Sequence, residues 1–266
     1  MSSVQTSDAN IFVVGGCTGP EQTPLTDCLM IDGNLTVYER DRMKTARFGA
    51  VLALIRDRFV LAIGGMTGKA AATNLCEAFD VQTNAWFTTQ ALPVPVSNTT
   101  AVVMQDRVVY LMPGSNSSCR KGETLIIHVL DTGSQSNFKG SKNSTMYGQP
   151  ITRQSWAQLL VANQEFVRSQ PCAGLQISSS EMVIFGGETS KSFILDIKQT
   201  LSPVAVTPTT GQLSQAGRFG VKSDFVARLY TTILYCIDAS LMQLHIYQIR
   251  EQTWLSKSLS ELGIPQ

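Results

Sequence analysis

Short apolar runs broken by polar turns recur along the whole chain, and no long stretch keeps the helical spacing of an amphipathic helix. The run FVLAIGG (59–65) is followed by a polar loop, then CEAFD (76–80), then AWF (85–87). Runs this short, rich in β-branched and aromatic residues and bounded by Gly, Asn and Asp, predict strands. The same reading along the chain predicts strands over 47–55, 58–64, 74–80 and 85–91, then over 98–104, 107–112 and 124–131. Further strands are expected over 171–177, 181–186, 192–197 and 201–207, and over 220–228, 231–237, 242–249 and 253–259. The first unit is expected to begin directly with a strand over 10–15. Residues 1–9 are left as a short N-terminal segment and 10–266 as one repeat domain.

The apolar runs share an ending. IFVVGG closes on Gly15 and Gly16, VLAIGG on Gly64 and Gly65, and MVIFGG on Gly186 and Gly187. VVYLMPG, ending at Gly114, and LYCID, ending at Asp238, stand where two decayed copies belong, so the intervals are 49, 49, 73 and 51 residues. A second element recurs with the first. Phe79 and Trp86 are spaced like Tyr247 and Trp254, and Ile31 and Tyr38 keep that spacing with Tyr in the Trp position. An Asp follows the first member at Asp32, Asp80, Asp131 and Asp196. Periods near 50 residues mark repeat architectures in which one unit cannot bury both its faces alone. The double glycine is expected where the chain turns tightly near a crowded axis, and the aromatic and Trp where neighbouring units pack.

Together these features resemble the kelch repeat family from about Asn10 to Leu259. The resemblance implies an all-β fold, a kelch-type β-propeller of four-stranded antiparallel blades. About five units are visible, so the ring is five-bladed or a degenerate six-bladed one. The longest interval is accounted for by a loop insertion at about 132–155, after which SWAQLLV (155–161) supplies a strand with Trp156 as the displaced Trp. An open ring would expose blade edges and favour self-association.

Composition narrows the chemistry. Apolar residues make up 43% of the chain and charged ones 15%, which describes a packed fold. A net charge of +1 gives no reason to expect nucleic acid or an anionic membrane as partner. MSSVQTSDAN has neither the basic nor the apolar region of a secretory signal, and no apolar run reaches the ~20 residues of a membrane span. The six cysteines form no C-x-x-C pair, so a cytoplasmic location with reduced thiols is expected.

The motifs of catalysis are missing. There is no G-x-S-x-G, no Walker A and no G-x-G-x-x-G leading into a helix. The two histidines, His128 and His245, occupy the same position in different units, two residues before the aromatic position. Copper-radical oxidases of this fold need Tyr, Cys and several His converging on the axis, and two histidines fall short of that set. No cofactor, metal site or catalytic residue is therefore expected.

Basic residues gather instead on one predicted loop face. ArgPheGly opens two strands, at Arg47 and Arg218, and Arg168 precedes a third. Arg42 lies close by, and Arg120 and Lys121 fall on a loop of the same face. Guanidinium forks around a concave mouth suit carboxylates or phosphates on a peptide, so this face is expected to bind a protein partner, an acidic peptide or a ubiquitin-ligase component. Many kelch proteins are adaptors or substrate receptors of ubiquitin ligases. The resemblance thus implies a non-catalytic protein-binding propeller, with a structural subunit or an enzyme acting on a small sugar-like ligand as the alternatives.

Overall fold

The computed structural model describes residues 2–69, 71–112, 125–132, 156–162, 172–186, 191–197, 204–212, 225–230, 233–238, 243–248, 250–251 and 253–262. These residues are strands and tight turns, with one 3₁₀ turn at Ser260–Leu262. The fold is all-β, of the β-propeller kind, and the described residues form three four-stranded antiparallel sheets, one eight-stranded sheet and a small two-stranded one. Two compact units are present, Met1–Asn116 with His128–Gln158, and Ser117–Ile127 with Leu159–Gln266.

In the first unit, β1 (Ser2–Gln5), β2 (Ile11–Val14), β5 (Cys28–Ile31) and β6 (Val37–Arg40) form the first blade in that order, with a small hairpin of β3 (Cys17–Thr18) and β4 (Thr23–Pro24) on the β2–β5 connection. The N-terminal segment therefore departs from expectation. Ser2 pairs with Val14 and Gln5 with Ile11, so residues 2–5 are the first strand of the first blade. Its polar sequence hid it, because alternate residues of this strand are exposed.

β7 (Val51–Ile55), β8 (Phe59–Ile63), β9 (Cys76–Asp80) and β10 (Ala85–Thr88) make the second blade. β8 and β9 are buried along their whole length, as central strands packed on both faces should be. The third blade begins with β11 (Ala101–Met104), β12 (Val108–Leu111) and β13 (Leu125–Asp131).

In the second unit, β14 (Ala157–Ala162) runs parallel to β18 (Val204–Gln212), with Val161 opposite Val204. β15 (Cys172–Gln176), β16 (Glu181–Gly186) and β17 (Lys191–Asp196) complete that sheet with β18. β19 (Phe225–Tyr230), β20 (Ile233–Asp238), β21 (Gln243–Gln248) and β22 (Thr253–Ser258) form the last one. Most of the 132–155 insertion lies outside the described residues.

Two apolar layers hold the first unit together. Phe12, Val14, Cys28 and Met30 of the first blade meet Val60, Ala62, Phe79 and Trp86 of the second. Leu61, Ile63, Cys76 and Ala78, on the other face of the second blade, meet Val109, Leu111, Leu130 and Trp156. Phe79 sits at the centre of the first layer, 5.8 Å from the Phe12 ring and 5.3 Å from the Trp86 ring. Burying a side chain of that size stabilises by about 1.5–3 kcal/mol. Phe79 and Trp86 of the second unit, and Leu130 and Trp156 of the next, are thus blade-to-blade packing residues.

Candidate functional site

The segment joining β6 to β7 is where the first two blades lock. Arg47 sits on it, with its amide donating to Leu25 O at 3.0 Å and its carbonyl accepting from Gly16 at 2.9 Å. Its guanidinium is fully buried. It donates to Leu75 O at 2.8 Å and Gly64 O at 3.2 Å, and it forms an ion pair with Glu77. The Glu77 carboxylate also accepts from the amides of Lys44 at 2.8 Å and Thr45 at 3.1 Å. A charge so deeply buried needs this many partners, since desolvating an ion costs several kcal/mol.

This geometry corrects the expectation for Arg47. The sequence puts it on a partner-binding face, yet it reaches no solvent and cannot meet an external carboxylate. Its partner is Glu77, thirty residues on in the chain. Arg42 does stand at the surface, with a 69% exposed side chain paired to Asp27 at 3.3 Å. Arg168, Arg218, Arg120 and Lys121 lie outside the described residues, as does Gly187. Of the remaining repeat positions, Gly186 ends β16 opposite Cys172, and Tyr247 faces Trp254 across β21 and β22.

The Trp indoles mark the same seam. Trp86 donates through Nε1 to Asp41 O at 2.7 Å, and Trp156 donates to Gln90 O at 3.1 Å. Both acceptors lie on the segment that enters the Trp's own blade. In the first blade the register differs from expectation. Phe79 faces Trp86, but Ile31 faces Val37, and Tyr38 faces Met30. The β5–β6 hairpin is one residue shorter, so Val37 takes the Trp position and Tyr38 turns to the other side of the sheet.

The recurring Asp also has a role that the spacing did not reveal. Asp80 accepts from Arg58 through both oxygens, Nε at 2.8 Å and Nη2 at 2.5 Å. Burial works against its charge, but the Arg58 bonds, helped by the Gln82 amide, hold its pKa below the ordinary carboxylate value. Asp131 pairs with Arg107 at 3.3 Å in the equivalent place one blade later. Arg58 and Arg107 each stand just before a second strand, which is the signal in the sequence that could have located these pairs.

Reactive and metal-binding groups are sparse. Burial pushes the Cys28 thiol up to about 12 and the Cys76 thiol up to about 11, so both stay protonated. His128 is buried in β13, and burial alone lowers its pKa. His245 is buried in β21, its Nδ1 at 2.7 Å from Ser256 Oγ. Among the described residues no three His, Cys, Asp or Glu side chains gather to hold a metal ion. No helix among them is long and apolar enough to cross a membrane.

No family model and no curated protein matches the chain. A solved structure does match: a fungal alcohol oxidase of the AA5 family in complex with copper, at a TM-score of 0.61 and 12% identity, covering 97% of this chain and 52% of that one. The chain thus spans about half the length of that protein. At this identity the likeness shows a shared fold, and that solved protein is an enzyme. The expectation of a non-catalytic, protein-binding propeller is therefore withdrawn. It rested on missing motifs, which are local in sequence, whereas an active site is defined by the mutual geometry of residues that can be far apart in the chain.

Proposed function

We propose that this chain is the propeller of an enzyme acting on a small hydroxyl-bearing molecule, an alcohol or a sugar-like polyol. The observation that carries this reading is the fold likeness to an alcohol oxidase over 97% of the chain. The repeated Gly-Gly, aromatic and Trp positions support reading the blades as divergent repeats of the kelch kind. Copper is not carried over with the fold. The chain has two histidines, and no metal-ligating cluster lies among the described residues. No step is accordingly assigned to a metal. In this reading Arg42, exposed on the segment entering the second blade, offers guanidinium donors to substrate oxygens.

The test is a panel of primary alcohols, polyols and hexoses, read by thermal shift and by peroxide release, each with and without added copper. The expected result is a concentration-dependent rise in melting temperature with at least one member of the panel. A panel that moves neither the melting temperature nor peroxide release would overturn the proposal.

A further inference from the structure

We propose that the joint between the second and third blades is a pH-sensitive seam, with His128 as its titrating group. The register of the strands puts His128 in the position that Glu77 holds one blade earlier. Glu77 lies opposite Ala62 on β8, and His128 lies opposite Leu111 on β12. Both are buried. What differs is the segment that enters each blade.

Before the second blade that segment reads Met43-Lys44-Thr45-Ala46-Arg47, and it supplies Glu77 with two amides and a guanidinium. Before the third blade it reads Leu92-Pro93-Val94-Pro95-Val96. Pro93 stands in the place of Lys44 and has no N–H to give, and Val96 stands in the place of Arg47 and has no charge. A carboxylate at position 128 would lose the counter-charge and one of the two amides that hold Glu77. A neutral imidazole is tolerated, and its Nδ1 is left without a hydrogen-bond partner.

Among the described residues around it, no carboxylate faces His128 to receive a second proton's charge. His128 lies on the same side of its sheet as Leu111 and Leu130, which pack against the second blade. Among the described residues the titratable group in that layer of the second blade is the Cys76 thiol, which stays protonated. The Arg56 guanidinium, which reaches across to Thr132 O at 2.9 Å beyond the end of β13, carries the wrong sign to compensate a second cation. On β12, Tyr110 faces Val129 and so points to the other side. On β13 itself, Asp131 lies at the strand end and is paired with Arg107. β14 carries no titratable residue. Protonation of His128 therefore places an uncompensated charge in an apolar seam, which the seam relieves by opening.

The sign follows from linkage. A histidine whose folded pKa is depressed contributes stability above its unfolded value of about 6.5, and that stability is lost as pH falls below it. The test uses the full chain. Its two histidines give two imidazole NMR signals, assigned with the His245→Gln variant. The His128 signal is expected to titrate below about 6.5, together with a change in Trp156 fluorescence. Between about pH 7.5 and 5.5 the wild type should lose about 3 °C or more of melting temperature beyond what His128→Gln loses. A His128 signal titrating at the ordinary value overturns the proposal, as does a variant that keeps the wild-type slope. The wild-type titration decides the matter even if the variant does not fold.

Discussion

The amide of Gly16 donates to the carbonyl of Arg47 at 2.9 Å, and one repeat later Gly65 donates to Val96 at 2.8 Å. The glycine before each is held at positive φ, 62° at Gly15 and 61° at Gly64. A methyl group built on either would overlap the same carbonyl, Arg47 O or Val96 O. The double glycine is thus a docking surface. It lets the segment entering the next blade lie against the end of the second strand, backbone on backbone, which is why a side chain there would clash.

Gly64→Ala is expected to cost about 3 kcal/mol or more, because a left-handed penalty of about 1–2 kcal/mol is joined by collision with a carbonyl that cannot move freely. Gly19 has a similar φ of 67° with nothing within 4 Å of its added carbon, so Gly19→Ala should cost about 1 kcal/mol. Urea denaturation of both variants checks this. Equal losses would show that backbone conformation alone requires the glycine.

Arg47→Met should destabilise by about 3–5 kcal/mol, since it strands the buried Glu77 carboxylate without its counter-charge. Combining it with Glu77→Leu should recover part of that loss. A double-mutant cycle measures the coupling, and additive losses would mean that the two charges act independently.

Trp86→Phe and Trp156→Phe each keep an aromatic ring but remove the indole N–H from a carbonyl on the entering segment. Each should cost about 1–3 kcal/mol, read from the denaturation midpoint. A neutral result at either site would leave packing as the whole role of that Trp.

Asp80 should make stability fall in acid. Its folded pKa lies below the unfolded value of about 3.9, so its contribution is present above that value and is lost as pH falls through the folded pKa. Arg58→Met should remove this part of the acid dependence. Unfolding measured from about pH 5 to 2 in both proteins tests it, and parallel curves would refute it.

Thiol reagents at mildly alkaline pH should label Cys17, which is exposed, well before Cys28 and Cys76. Peptide mapping of native and unfolded protein gives the order. Rapid native labelling of Cys76 would mean that the seam between the second and third blades opens readily.

Much of the fold was legible because it rests on local pattern. Strands β7 to β10 fall inside the stretches predicted for them, and Trp86 and Phe79 pack between blades as expected. The failures have a common cause. Arg47 looked like surface charge because the residue that draws it inward, Glu77, lies on another strand. Tyr38 looked like a Trp equivalent because the spacing in sequence matched. A hairpin shortened by one residue reverses which face a side chain occupies, and composition does not record that. The candidate site was the least legible part, since four of its six basic residues fall outside the described segments and one of the others is buried.

The sequence by itself determined that this chain is a succession of short strands in repeated units, because strand length, turn glycines and aromatic spacing are written along it locally. Only the tertiary structure decided what each repeated residue touches. Glycine became a landing place for a carbonyl, arginine a buried clasp, and Glu77 a carboxylate held by two amides and a guanidinium, while His128 in the same place one blade later lies beside apolar side chains. Those outcomes depend on which segment enters each blade, and that contact forms between residues far apart in the chain.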